Sequence, residues 1–129
     1  MSVELSEGLK KYLDNQHAFA TVATIQPDGR PHLSITWVLR DGDDLLISTT
    51  VGRRKEQNLR RDSRITIMIN PPEEPYSYAE IRGTATLTAE GADELIHTIA
   101  RKYTGADYPD ADGERVIIRV SADRIVGSL

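Results

Sequence analysis

"PHLSITWVLRDGDDLLISTT", residues 31–50, is the stretch whose reading decides the fold. Its first half alternates. In an extended chain Leu33, Ile35, Trp37 and Leu39 fall on one face, and His32, Ser34, Thr36 and Arg40 on the other. Asp41-Gly42-Asp43-Asp44 then reverses the chain, and Leu45–Thr50 reads as a second extended run. Upstream, "AFATVATIQ" (18–26) is a strand, because Phe19, Thr21, Val22 and Ile25 favour extended backbone. "PDGR" (27–30) links it to residue 31: Pro presets φ and Asp-Gly supplies the bend. Three strands joined by hairpin-length turns predict an antiparallel meander.

Beyond this meander, "SRITIMIN" (63–70) is a strand with Ile65, Ile67 and Ile69 inward. "YSYAEIRGTATLTAE" (76–90) is a longer one. There Ala79, Ile81, Ala85 and Leu87 oppose Tyr78, Glu80, Arg82, Thr84 and Thr86, and Gly83 marks a bulge or a close backbone approach. "RVIIRVSADRIVG" (115–127) is the last strand. Helices are predicted over about 6–15, 53–61 and 92–103, the last carrying Leu95, Ile96, Ile99 and Tyr103 at helical spacing. Long helices between strands, which would signal a parallel α/β sheet, are missing from this pattern. The predicted fold class is therefore mainly β: a small six-stranded antiparallel barrel with short helices, one domain over residues 1–129. Both strand faces are rich in small or apolar residues. A dimer interface explains a second buried face, and so does a helix lying on the barrel.

The chain has 129 residues, no cysteine and a net charge of −4. Disulfides and cysteine-based sites are excluded. No apolar run approaches membrane-spanning length, and the acidic, amphipathic "MSVELSEGLKKYL" is not a signal peptide, so a cytoplasmic protein without membrane contacts is expected. Residues 53–64 hold six of the 16 basic residues against two acidic ones, Glu56 and Asp62. A nucleic-acid binder would spread such charge over a wide face; a local concentration suits a small anion, or a solvated helix face.

That cluster sits in "TTVGRRKEQNLRR" (49–61). Arg53, Arg54 and Lys55 crowd a helix start, where partial positive charge normally attracts Asp or Glu. A phosphate there would meet unsatisfied backbone N–H groups, the helix dipole and three cationic side chains together. Thr49 and Thr50 add hydroxyls, and Gly52 lets the chain turn. The Gly-Lys-Ser/Thr ending of a Walker loop is not present.

With these residues in view, the chain resembles the flavin/deazaflavin split-barrel superfamily around pyridoxamine 5′-phosphate oxidase. The resemblance rests on residues 28–69, "YSYAEIRGTATLT" and "RVIIRVSADRIVG" in order, and spans about Ala18 to Gly127. It is closest to the short branch of coenzyme F420-dependent oxidoreductases. The resemblance implies an FMN-binding split barrel that forms a homodimer, with a cofactor in each of two interface grooves. It puts the cofactor phosphate at Arg53, Arg54 and Lys55 beside Thr49 or Thr50, and the tricyclic ring against Ser34, Thr36, Trp37 and Ser48. It also brings Tyr76 and Tyr78 near the cofactor. The implied cofactor is F420, with FMN as the alternative, and the implied activity is hydride transfer from the reduced cofactor to a small organic acceptor. A non-catalytic cofactor carrier is a third possibility. Full-length pyridoxamine phosphate oxidases use a C-terminal extension on the pyridoxal ring; this sequence ends at Leu129, so a different acceptor is expected. No catalytic side chain is assigned. Tyr78 or Arg82 could orient or protonate a substrate, and each has a plain packing or surface reading.

His17, His32 and His97 are scattered and have no recognisable haem-ligand context. "DADGE" (110–114) lacks the ligand spacing of a calcium loop and reads as a solvated turn. Trp37 reads as core or dimer interface rather than a stacking platform.

Overall fold

The computed structural model describes residues 2–109 and 113–129. Asp110, Ala111 and Asp112 of the expected turn lie outside the described residues. The elements run α1 (Glu7–Leu13), β1 (Ala20–Ile25), β2 (Pro31–Thr36), β3 (Leu39–Asp41), β4 (Asp44–Thr50), α2 (Arg54–Arg61), β5 (Arg64–Ile69), β6 (Ala79–Thr88), α3 (Ala92–Thr104) and β7 (Arg115–Gly127). The described residues thus form seven strands, not six. All pairs are antiparallel, in the order β2-β1-β5-β6-β7-β4-β3.

The expected 31–40 strand is broken at Trp37–Val38. Two hairpins survive, β1–β2 and β3–β4, but the meander does not: β2 and β4 are not neighbours. β4 pairs instead with β7, from Asp44↔Ser121 to Thr50↔Arg115. The break has a physical cause. Val38 is fully buried, and its N–H donates to the Tyr103 hydroxyl at 3.0 Å. The Lys102 ammonium donates to the carbonyls of Val38 (2.7 Å) and Leu13 (2.5 Å). Side chains of α3 thereby satisfy backbone groups that a continuous ladder would have used. Because β2 and β3 are the two edges of the sheet and only two residues join them, the sheet must curl back on itself into a half-barrel.

The core fills this curl. Ile65, Ile67 and Ile69 of β5 are inward and at most 2% exposed. They pack with Val22, Leu45, Ile47, Ile81, Ile118 and Val120, while Leu5, Leu9 and Leu13 close one end from the α1 segment. Each such side chain contributes about 1.5–3 kcal/mol by leaving water. Ser6 caps α1, its hydroxyl accepting from Leu9 N–H. Between Arg82 and Gly83 the β6–β7 register slips by one, leaving Asp123 as the extra residue. A Cβ on Gly83 would sit 2.5 Å from the Ser121 carbonyl oxygen, so the two strands approach too closely there for any side chain.

On β2 it is the polar face that turns inward. Leu33 and Ile35 point outward, 63% and 72% exposed, while Ser34 pairs in register with buried Val22 and faces inward. Thr21 lies between Ile35 on β2 and Met68 on β5, so Leu33, Ile35 and Met68 share one outer face. α3 covers a different outer region, where Leu95 and Ile99 meet Leu46, Trp37, Tyr103 and Ile117. No helix among the described residues is long and apolar enough to cross a membrane.

Candidate functional site

Where the two sheet edges converge, an open cleft of about 360 Å³ forms between the end of β2, the end of β4, the start of α2 and the flank of α3. One side is apolar. Trp37 stacks on Tyr103 with centroids 5.1 Å apart and planes within 7°, and Phe19 leans on the same tyrosine at 5.6 Å. Ile96 and Ile99 continue this wall. The other side is polar: Thr36, Ser48, Thr49 and Thr50, then Arg53, Lys55 and Arg115. A cleft flat and aromatic along one side and cationic at one end suits a planar ligand that carries an anion.

The cation cluster divides into two groups. Arg60 pairs with Glu56, Arg64 grips Asp62 at 2.7 Å, and Arg61 donates to the Ile25 carbonyl. Arg53, Arg54 and Lys55 have no carboxylate partner among the described residues. The helix start is also less bare of negative charge than the sequence implies. Glu56 reaches back to accept from Gly52 N–H at 2.9 Å, and that bond, with Arg60, holds its carboxyl below the usual range. Arg53 stands at the N-cap without a side-chain cap bond, so its side chain satisfies none of the N–H groups of the first turn. Burial lowers the Lys55 pKa, and neighbouring Arg53 lowers it further. The charge of a bound anion would oppose both effects by favouring the ammonium form.

Of the residues singled out from sequence, Thr36, Trp37, Ser48, Thr49, Thr50, Arg53 and Lys55 line this one cleft. Ser34 lies two residues up β2, its hydroxyl buried without a partner. Arg54 is the first residue of α2, exposed and outside the lining. Tyr76 is 95% exposed, and Tyr78 borders a separate shallow depression with Met68, Asn70 and Pro75. Arg82 pairs with Glu80 at 3.1 Å across the outer face. His97 accepts from Tyr108 N–H at 3.2 Å, and no cluster of metal-ligating side chains occurs among the described residues.

The apolar lining residues Phe19, Ile35, Ile96 and Ile99 were not singled out from sequence as site residues, and two polar ones, Arg115 and Tyr108, escaped it as well. Arg115 opens β7 opposite Thr50 and donates to Ser48 Oγ at 3.2 Å. Tyr108 lies against it, the guanidinium carbon 4.9 Å from the ring centroid. The one available signal was Arg115 at the head of an otherwise apolar strand. Thr36 Oγ1 and Arg115 Nε are buried polar atoms with no hydrogen-bond partner among the described residues. Both belong to residues lining the cleft, as a site for a polar-edged ring would require.

Residues 5–127 match the pyridoxamine 5′-phosphate oxidase family. Among solved structures, an F420 reductase shares 27% identity, over 95% of this chain and 98% of that one, with a TM-score of 0.84. A conserved hypothetical protein of Mycobacterium tuberculosis shares 25% identity over 96% and 84% of the two chains, with a TM-score of 0.77. General stress protein 26 of Bacillus anthracis, at 16% identity over 92% and 89% and a TM-score of 0.71, shares the fold alone.

Proposed function

The chain belongs to the pyridoxamine 5′-phosphate oxidase family, and from that premise we propose that it is a homodimeric oxidoreductase that uses coenzyme F420. The observation that carries this reading is the cleft: an aromatic wall facing a row of hydroxyls and ending in cations that no carboxylate among the described residues neutralises. The likeness to an F420 reductase over almost the full length of both chains supports the choice of cofactor.

In this reading Arg53 and Lys55 hold the cofactor phosphate, with Arg54 contributing longer-range positive potential. Thr49 and Thr50 donate alongside. Thr36 and Ser48 meet the polar edge of the ring and Trp37 forms its wall, with Ser34 reached at the inner end of the strand. When bound, the reduced deazaflavin supplies a hydride to a small organic acceptor. The protein aligns the two reactants and keeps water out with Trp37, Phe19 and the α3 isoleucines. Nothing in this chemistry calls for a protein nucleophile. The outward face of Leu33, Ile35 and Met68 supports self-association. In the resulting dimer Tyr76 and Tyr78 would approach the partner's cleft, consistent with the exposure of Tyr76.

FMN in the same cleft is the second reading, favoured by the family itself. A parallel titration of cofactor-free protein with F420 and FMN separates the two, followed by an acceptor screen with whichever binds. We expect tighter binding of F420 and turnover of at least one conjugated acceptor. Preferential FMN binding would replace F420 by FMN. Tight binding of oxidised and reduced F420 without turnover would make the protein a carrier.

A further inference from the structure

The Arg115 guanidinium is held on two sides. Its Nη1 donates to Ser48 Oγ, and its guanidinium carbon lies 4.9 Å from the Tyr108 ring centroid. Tyr108 is in turn fixed: its N–H donates to His97 Nδ1 at 3.2 Å, and its ring meets Trp37 edge-on at 6.4 Å. Nearby, Asp107 is tied to Arg101 at 2.5 Å. What remains of the guanidinium is the edge formed by Nε and Nη2. Nε is buried and unpartnered among the described residues, and no described carboxylate pairs with Arg115. A buried charged donor without an acceptor is costly. The Nε–Nη2 edge is a fork whose two parallel N–H groups match the two oxygens of a carboxylate.

We propose that Arg115, with Tyr108 and Ser48, forms a second anion subsite in the cleft, distinct from the Arg53–Lys55 end, which takes a planar delocalised oxyanion such as an aromatic or conjugated carboxylate. Ser48 and Tyr108 set the plane of the guanidinium, so the subsite selects orientation as well as charge. Its position beside the Trp37 wall lets a flat conjugated group stack while its carboxylate reaches Arg115. The proposal rests on the cofactor reading for what occupies the rest of the cleft. The planar oxyanion could belong to the acceptor or to the cofactor's own ring.

Trp37 is the single tryptophan of the chain, so its fluorescence reports this corner directly. The test titrates benzoate, with benzamide as its neutral counterpart, against cofactor-free protein. Wild type should prefer benzoate. Arg115→Gln should weaken benzoate binding by about 10- to 100-fold, the scale of a charge-assisted hydrogen bond. Arg115→Lys should fall between the two, because an ammonium keeps the charge without the fork. Equal affinity for benzoate and benzamide, or unchanged benzoate affinity in Arg115→Lys and Arg115→Gln, overturns the proposal; if the glutamine variant does not fold, the lysine variant decides. Repeating the titration with F420 or FMN present assigns the source. Competition with benzoate makes the cofactor the natural bearer of the oxyanion, and simultaneous binding makes it the acceptor. Benzoate binding through Arg115 in a protein that binds neither cofactor would refute the cofactor reading and leave this subsite standing.

Discussion

β2 and β5 flank the same strand, β1, and use their alternation in opposite senses. On β5 the isoleucines face inward and Arg64, Thr66 and Met68 face out. On β2 Leu33 and Ile35 face out, and His32, Ser34 and Thr36 face in. Both patterns have period two, and both look like half-buried strands. The difference lies in what each inner face meets. β5 looks onto packed side chains, whereas β2, at the edge beside the cleft, turns inward buried polar atoms of His32, Ser34 and Thr36 that have no hydrogen-bond partner among the described residues. One interior is finished by protein; the other is left with donors and acceptors to fill.

Four measurements would break or sharpen that contrast. The largest effect is expected for Ile67→Ala, which should cost about 2–5 kcal/mol in denaturant unfolding through loss of burial and a residual cavity. Ile35→Ala, the same deletion on the outward face of β2, should cost under about 0.5 kcal/mol in the monomer. Comparable losses would mean that the β2 face is covered in the monomer after all. Next come Arg53→Ala and Lys55→Ala, each expected to weaken cofactor binding by about 1–3 kcal/mol. Unfolding of the empty protein should be unchanged or slightly improved, since like charges are relieved. That is the mirror image of Ile67→Ala, and unchanged cofactor affinity in both variants removes the phosphate site.

A smaller effect is expected for Thr36→Val, which should leave stability within about 0.5 kcal/mol, because it deletes a hydroxyl that has no partner, while reducing cofactor affinity in the same titration. A clear loss of stability would show the hydroxyl to be structural.

The smallest effect concerns Lys102 at the end of β2. Burial pushes its pKa down to about 8, with Asp14 pulling it back up. The unfolded chain keeps that proton to about pH 10.4. Between these values the unfolded state binds more protons, so stability should rise as pH increases from about 8 towards 10. Above that, the partly buried tyrosines Tyr103 and Tyr12, whose pKa values are raised, oppose the trend. Lys102→Met should flatten the rise; an unaltered pH profile would exclude Lys102 as its source.

The sequence was most informative where structure is local. The Asp41–Asp44 reversal, the extent of β7 and the Gly83 bulge all depend on neighbouring residues, and their positions agree with expectation. It was silent where the cause is distant. The break at Val38 depends on Lys102 and Tyr103, more than sixty residues away, and the β4–β7 pairing joins segments about seventy residues apart. The orientation of β2 was left open, because alternation separates two faces without saying which is inside. Of the cleft lining, Thr49, Thr50, Arg53 and Lys55 were singled out from the residues themselves, and Thr36, Trp37 and Ser48 through the resemblance alone. Arg115 and Tyr108 were not, since only the β4–β7 register brings them to Ser48. Arg54 shares the composition of its neighbours, yet it lies outside the cleft lining.

The two-residue joint at Trp37–Val38 has one more consequence. A sheet with two free margins can recruit a stray strand by backbone pairing, the first step towards fibrils. Here one margin is only three residues long and runs directly into the other. Lys102 and Tyr103 occupy the Val38 carbonyl and amide at the bend, and the same hydroxyl caps the Ala18 carbonyl. Strand addition is therefore disfavoured at the seam, where the backbone groups of Val38 are already taken.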